Sequence, residues 1–209
     1  MSPQYYDVPA QELKIRTVHQ KEIEILRRTQ SDPGNNRFGA MPDKFQPSFN
    51  DVYQGTAVDA IAGQIDLFII LPKLLPEHPE LHLRAVAYLK EKENDSTMVG
   101  YIQICMPADG ERASSIGGFI HHPFVRRGYA KEAFRAVIDY AFNYLLREEV
   151  VIEAKSINEP FGTLMKSLGL EGMEGPGSYW LTKIPSEESL EWRFGKAKWE
   201  EVKRATGWS

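Results

Sequence analysis

The residues Gly-Gly-Phe-Ile-His-His-Pro-Phe-Val-Arg-Arg-Gly-Tyr-Ala, numbers 117–130, decide the fold of this chain. Their apolar first part predicts a strand that ends before Pro123, and the amphipathic run after Gly128 predicts a helix. The first turn of a helix has backbone N–H groups without intrahelical partners, and the helix dipole favours an anion there. Arg126 and Arg127 add positive charge, and Gly128 allows an anion to approach the backbone. The sequence therefore predicts a phosphate-binding loop between a strand and a helix.

The segments before this loop are predicted from their periodicity. Apolar residues at helical spacing between residues 51 and 72 predict a helix that ends before Pro72. Asp109-Gly110 is a strong hairpin signal, so the strands that flank it are expected to form an antiparallel meander. The predicted strands are Leu13–Val18, Leu81–Lys90, Met98–Met106 and Ala113–His121.

The segments after the loop alternate between helix and strand. We predict a helix from Gly128 to about Arg147, a strand over 150–157, and a short helix over 159–168 with Asn158 as its N-cap. A turn with three glycines (Gly172, Gly175, Gly177) and a strand over Ser178–Ile184 follow.

The end of the chain, residues 186–209, is predicted to be helical. Ser186 is a candidate N-cap, and two glutamates follow it in the first turn of a helix that continues to about Ala205. The helix would carry four large apolar residues, Trp192, Phe194, Trp199 and Val202. We expect them to pack against the domain, and a contact in a homodimer is the alternative.

Composition limits the classes of protein that the chain can represent. The 209 residues are 42% hydrophobic and 26% charged, as in an ordinary globular protein of one domain with appended elements. The net charge of −4 argues against a nucleic-acid partner and suits the attraction of cationic amines. The single cysteine, Cys105, excludes an internal disulfide and fits a reducing compartment.

Targeting signals and metal ligands are not apparent in the sequence. The N-terminus has no signal-peptide pattern, and the longest apolar run, Leu67–Leu71, is too short to span a membrane. We therefore expect a cytoplasmic protein with no membrane partner. His121 and His122 are adjacent and the pattern places no third ligand, so we expect no metal site.

Residues 125–130 resemble the cofactor motif of the GCN5-related N-acetyltransferase (GNAT) superfamily. That motif has Gln or Arg, two further residues, Gly, one residue, and then Gly or Ala. Gly128 and Ala130 match it, whereas Val125 stands where the family has Gln or Arg. The string Gly-Tyr-Ala-x-Glu-Ala, residues 128–133, is similar to the branch that acetylates ribosomal-protein N-termini and related small amines.

A second block carries the same resemblance. The family has a strand, an Asn, a helix and a Gly-Phe ending, and here Asn158 follows the predicted strand and Gly169-Leu170 ends the helix. Leu170 takes the place of the phenylalanine. The two blocks lie in the order expected of a βαβα unit.

The resemblance implies an α/β (α+β) fold of GNAT type. The central sheet would be mixed and mostly antiparallel, with about seven strands and flanking helices. Two splayed parallel strands would form a cleft for acetyl-CoA, the co-substrate. Residues 1–185 would be the acetyltransferase domain, within which residues 31–80 form the variable acceptor side, and residues 186–209 would be the C-terminal helical extension.

The implied activity is acetyl transfer to a primary amine, of a small molecule or of a protein N-terminus, directly in a ternary complex. By the same resemblance, the backbone of the strand before the loop contacts the pantetheine arm of the cofactor. The residues implied in cofactor binding are Gly118, Ile120, His121, Val125, Arg126, Arg127, Gly128, Tyr129, Ala130 and Asn158.

The catalytic residues stay unassigned at this point. Family members that use a Glu or His base, or a Tyr acid, have them at positions occupied here by Ser114, Ser115, Gly117 and Met165. The alternative is therefore a non-catalytic acyl-CoA sensor or scaffold. The other ionisable candidates for proton transfer are His121, His122, Tyr101, Glu153 and Tyr179, and deprotonation through water is equally allowed.

Overall fold

A computed structural model of the chain describes residues 7–8, 10, 13–17, 32–35, 65–72, 98–105, 113–177 and 186–208. Within these residues eight strands form one sheet, in the order β1-β2-β3-β4-β5-β6-β8-β7. The strands are β1 (Asp7–Val8), β2 (Leu13–Thr17), β3 (Ile65–Pro72), β4 (Gly100–Cys105), β5 (Ala113–Ile120), β6 (Glu149–Lys155), β7 (Glu174–Gly177) and β8 (Ser186–Gly195). The helices are α1 (Tyr129–Asn143), α2 (Glu159–Ser167) and α3 (Lys196–Thr206).

The sheet is mixed and mostly antiparallel, as the sequence predicts. Among the strand pairs of the described residues only β5 and β6 run parallel, because α1 returns the chain across the sheet between them. The antiparallel pairing of β4 with β5 confirms the meander before the loop. The fold class is confirmed, and the described strands number eight rather than about seven.

The hydrophobic core lies between α1 and one face of the sheet. α1 ends four residues before the predicted end and buries one face, which includes Phe134, Val137, Ile138 and Ala141. Alternate residues of the central strands contribute to the same core because side chains in a strand alternate between its faces. These residues are Ile102, Ile104, Ile116, Val150 and Ile152.

Two helix predictions are wrong. Residues Ile65–Pro72, predicted as the end of a helix, form β3 between β2 and β4. A short run that is apolar at almost every position fits a strand with two neighbours as well as a buried helix. Residues Ser186–Gly195, predicted as the start of the C-terminal helix, form β8, which lies inside the sheet between β6 and β7. The helix begins only at Lys196.

The glycine-containing turn also differs from the prediction. Gly172 has a left-handed φ of 76° as a turn requires, but the residues from Glu174 to Gly177 form β7 against β8. The predicted strands Leu81–Lys90 and Ser178–Ile184, the hairpin signal at 109–110 and the predicted helix before residue 65 lie outside the described residues.

The apolar residues of the C-terminal segment belong to the domain core. Trp192 and Phe194 on β8 face the same side as Ile152, and Trp199 and Val202 on α3 pack into the same cluster. Trp199 is fully buried, and its Nε1 donates a hydrogen bond of 2.8 Å to the carboxylate of Asp139 on α1.

Candidate functional site

The parallel strands β5 and β6 separate soon after they meet. They pair at only three positions, the last of which joins Ser115 to Val151. Beyond that position β5 stays paired with β4 as far as Ile120, while β6 stays paired with β8 as far as Lys155. The two backbones therefore face each other across a gap without pairing. Strands separated in this way leave backbone N–H and C=O groups facing the gap, where they need hydrogen-bond partners other than a neighbouring strand.

The loop after β5 leads directly into α1. A short 3-10 turn over His122–Phe124 buries the side chain of Phe124 and anchors the start of the loop. Arg126 and Gly128 then adopt left-handed φ angles of 65° and 83°. A left-handed φ is uncommon for a residue other than glycine, and alternating backbone conformations turn successive N–H groups toward one point.

The N-terminus of α1 is open. Gly128 is its N-cap and has no side chain to cap the first N–H groups. A Cβ built on Gly128 would meet no atom within 4 Å, so the space beside it is free. Both a donor set and room for an anion are therefore present at this helix start, and anion binding there stays a prediction.

The other predicted loop residues fall into two groups. Val125 and Arg126 are exposed and Arg127 is half-buried, so both guanidinium groups lie at the surface beside the loop. Tyr129 is only 7% exposed, so its ring belongs to the core and only its backbone belongs to the loop. The side chain of Ala130 is half-buried.

The predicted strand residues lie beside the gap. Gly118 and Ile120 belong to the part of β5 that has no partner on β6 and pair with Ile102 and Gly100 on β4. A Cβ on Gly118 would lie 2.8 Å from Cα of Ile102. Glycine is therefore required at position 118 because β4 approaches too closely for any side chain.

Asn158 has the capping role that the sequence predicts. It precedes α2, and its Oδ1 accepts a hydrogen bond of 3.2 Å from the N–H of Phe161. The side-chain oxygen is thus occupied by the helix, and the amide nitrogen is the group that a ligand could use.

A comparison with known families decides which protein family this is. The family described as "Acetyltransferase (GNAT) domain" matches residues 13–171. The chain belongs to this family. It is therefore an N-acetyltransferase, and the cofactor that the GNAT fold binds is acetyl-CoA. No curated protein matched the chain in a separate comparison.

Solved structures share the fold of this GNAT protein at low sequence identity. RimJ from Mycobacterium smegmatis, in complex with CoA-disulfide, has a TM-score of 0.65 and 14% identity, and the match covers 100% of this chain and 98% of RimJ. Spermidine N-acetyltransferase from Vibrio cholerae, in complex with CoA and spermine, has a TM-score of 0.62 and 10% identity over 90% and 98% of the two chains. A putative ribosomal-protein-serine acetyltransferase from Vibrio cholerae has a TM-score of 0.59 and 17% identity over 91% and 97%.

His121 of this GNAT protein is buried rather than open to the gap. Its side chain is 1% exposed, and its Nδ1 lies 3.0 Å from Nδ2 of Asn35. Burial lowers the pKa of His121 from 6.5 to about 4, with a smaller upward effect of Asp32 and a further downward effect of His122. The imidazole is thus neutral at physiological pH and a poor proton acceptor. Its predicted contact with the cofactor stays a prediction.

Glu153 lies on β6 beyond the last pair with β5. It follows Ile152, so its side chain is on the sheet face opposite α1, and it is half-buried. Its Oε1 accepts a hydrogen bond of 3.1 Å from the hydroxyl of Ser189 on β8. Ser189 is only 2% exposed. A Cβ on Gly177 of β7 would clash with that hydroxyl. Three strands therefore fix the position of this carboxylate.

The remaining ionisable candidates are less informative. The ring of Tyr101 packs edge-on against Phe119 at 4.8 Å between centroids, and Tyr179 lies outside the described residues. In the part of the chain that the structure describes, no group of three potential metal ligands is arranged around one point, and no helix has the length and apolar composition to cross a membrane.

Asn35 is the contact residue that sequence reasoning missed. The turn signals Asp32, Pro33 and Gly34 indicate a loop there, but a partner 86 residues away leaves no local pattern.

Proposed function

We propose that this GNAT protein transfers the acetyl group of acetyl-CoA to a primary amine of a small molecule or of a protein N-terminus, directly and in a ternary complex. The observation that carries the proposal is the separation of β5 from β6 next to the uncapped start of α1. Backbone groups of β5 beyond Ser115 are available to orient the pantetheine arm, and the amides after Arg127 are available to bind the pyrophosphate. Arg126 and Arg127 add charge attraction to that phosphate site.

Acetyl transfer needs a neutral amine, a stabilised tetrahedral oxyanion and a proton for the thiolate that leaves. Holding the thioester and the amine together supplies a large part of the rate increase. The amine must lose a proton during the reaction, and we assign the acceptor role to the carboxylate of Glu153, acting directly or through one water molecule. Its hydrogen bond from Ser189 fixes the position of one carboxylate oxygen on β6.

The acceptor is proposed as a cationic amine. The net charge of −4 favours such substrates by long-range attraction. Among proteins of the same fold, one is named as a spermidine N-acetyltransferase and another as a putative ribosomal-protein-serine acetyltransferase, so a small amine and a protein substrate are both represented. The test is a mass-spectrometric screen with acetyl-CoA against polyamines, amino-acid amides and peptides with free N-termini. A mass increase of one acetyl group on an amine supports the proposal.

The screen also separates the enzyme from a sensor. Binding of acetyl-CoA without thiol release on any amine would favour the acyl-CoA sensor or scaffold. Thiol release that needs an amine, with no acetyl group retained on the protein, supports direct transfer. Acetylated protein formed without an amine would contradict it.

The cofactor loop is tested by Gly128→Val, with Gly172→Val as a matched control. Both glycines have left-handed φ angles, 83° and 76°, and a Cβ on either meets no atom within 4 Å. Valine therefore introduces the same backbone strain at both positions, but only at 128 does it fill the proposed pyrophosphate site. We expect calorimetry to show lost CoA binding for Gly128→Val and near-normal binding for the control. Equal CoA binding by the two variants would refute the assignment of the loop.

A further inference from the structure

The side chain of Asn35 joins a distant turn to the end of β5. Its Oδ1 accepts a hydrogen bond of 2.8 Å from the backbone N–H of His122. Its Nδ2 lies 3.0 Å from Nδ1 of His121. One side-chain amide thus contacts both histidines at the point where the strand ends and the cofactor loop begins.

The chemistry of these groups determines the protonation of His121. A backbone N–H can only donate, so the oxygen of the Asn35 amide must face His122. The NH2 group then faces His121 and also can only donate. Nδ1 of His121 must therefore accept, which leaves the ring neutral with its proton on Nε2.

The turn that carries Asn35 fits tightly against His122. Within the turn, Oδ1 of Asp32 accepts from the N–H of Gly34 and the carbonyl of Asp32 accepts from the N–H of Asn35, both at 2.9 Å. Oδ2 of Asp32 lies 3.5 Å from Nε2 of His122. A Cβ on Gly34 would lie 2.6 Å from the His122 ring, so any other residue at 34 would displace that ring.

The peptide held by Asn35 also holds the start of the loop. The N–H of His121 donates to the carbonyl of Val99, and the carbonyl of His121 accepts from the N–H of Phe124, both at 2.8 Å. Phe124 is buried and directly precedes Val125. Movement of His121 would therefore be transmitted through the 3-10 turn to the loop.

We propose that Asn35 is a positioning residue for the acetyl-CoA loop, because it locks His121 as the neutral Nε2–H tautomer and fixes the backbone from which the loop starts. The inference rests on the proposed cofactor site. It adds that the turn at 32–35, which belongs to the region predicted to form the acceptor side, is coupled to cofactor binding through the amide of Asn35.

The tautomer is tested by NMR of the imidazole nitrogens. We expect His121 in the wild type to carry its proton on Nε2. Asn35→Asp keeps an oxygen for the N–H of His122 but places a second oxygen on Nδ1, so it should move a proton to Nδ1 of His121. A wild-type signal from the Nδ1–H tautomer, or no change in Asn35→Asp, would overturn the inference.

The positioning role is tested by binding and kinetics with Asn35→Ala, and with Asn143→Ala as the control because Asn143 is exposed at the end of α1. We expect the dissociation constant and the KM for acetyl-CoA to rise about tenfold in Asn35→Ala, with a smaller change in kcat. Asn35→Asp should bind CoA more nearly as the wild type does than Asn35→Ala, because its two oxygens can accept from the N–H of His122 and from the relocated Nδ1–H of His121. Unchanged CoA binding in a folded Asn35→Ala protein would overturn the inference.

These outcomes are distinct from failure of the proposed function. A wild type that binds CoA but acetylates no amine contradicts the function and leaves the role of Asn35 intact. Normal CoA binding by Asn35→Ala contradicts the role of Asn35 and leaves the function intact. If Asn35→Ala does not fold, the NMR comparison of the wild type with Asn35→Asp decides the question.

Discussion

From the burial of His121 we predict that this protein loses stability in acid over a defined pH range. Burial lowers the pKa of its imidazole from 6.5 to about 4, because charging the ring would require removing an ion from water. An unfolded chain takes up this proton near pH 6.5, whereas the folded protein resists it until about pH 4. The unfolded state thus binds more protons within that window, and the free energy of unfolding falls as the pH is lowered through it.

The size of the effect follows from the two pKa values. One pKa unit corresponds to about 1.4 kcal/mol, so a change from 6.5 to about 4 corresponds to about 3 kcal/mol. The contribution of the neutral His121 to the free energy of unfolding is complete above pH 6.5. This contribution is lost progressively as the pH falls toward 4. A loss of this size is a large share of the total stability of a typical domain.

The assay is urea denaturation at several pH values between 7 and 4, followed by circular dichroism. His121→Gln removes the titration while a side-chain oxygen can still accept from Asn35. His122→Gln, which removes only the smallest of the three influences on the pKa of His121, serves as the exposed control. We expect the wild type and His122→Gln to lose about 3 kcal/mol more than His121→Gln over the window. If all three proteins lose stability in parallel, the reasoning about His121 is refuted.

Three further predictions concern a cap, an interhelical contact and the proton acceptor. Asn158→Ala should lower the free energy of unfolding by about 1 kcal/mol through loss of the cap and should weaken acetyl-CoA binding in calorimetry. Asp139→Ala should cost about 2 kcal/mol in urea denaturation, because Nε1 of the buried Trp199 and the ammonium of Lys203 both donate to this carboxylate. Glu153→Gln should lower kcat about 100-fold in a thiol-release assay, with little change in CoA affinity.

Each of these predictions has a control and a result that would contradict it. Asn143→Ala should change neither stability nor CoA binding, and an unchanged affinity in folded Asn158→Ala removes that residue from the site. Glu201→Ala breaks only an exposed ion pair with Lys198 and should cost less than about 1 kcal/mol. Glu188→Gln alters an exposed carboxylate on β8, so an equal loss of kcat in Glu188→Gln and Glu153→Gln would argue against a specific proton acceptor.

The region around the cofactor loop could be predicted from the sequence because its signals are local. Apolar residues at helical spacing predict α1, and Gly128 and Asn158 mark the starts of α1 and α2. The predicted starts of both helices therefore match the structure. The open loop can be predicted from Gly128 itself, because this prediction does not depend on residues that are distant in the sequence. These features depend on neighbours within a few positions along the chain.

The sequence predictions failed where a local pattern fits both a helix and a strand. They also failed where the deciding contact joins residues that are distant in the sequence. Ser186 followed by two glutamates imitates a helix start, yet Leu190, Trp192 and Phe194 alternate with charged residues as a half-buried strand requires. That alternation was available in the sequence and outweighs the cap signal. The bond between Asn35 and His121 was not available, because no local pattern specifies a partner across 86 residues.

The strand β6 pairs more extensively with β8 than with β5, and this difference has a consequence for folding during synthesis on the ribosome. β5 holds this strand at three positions, whereas β8 holds it along all seven of its residues. The strand that braces one wall of the gap is translated about 40 residues after β6, which corresponds to a few seconds of elongation. A nascent chain stalled before residue 186 should therefore contain the phosphate loop but should fail to retain CoA, and the acetyltransferase should gain affinity for its cofactor only as the last strand emerges.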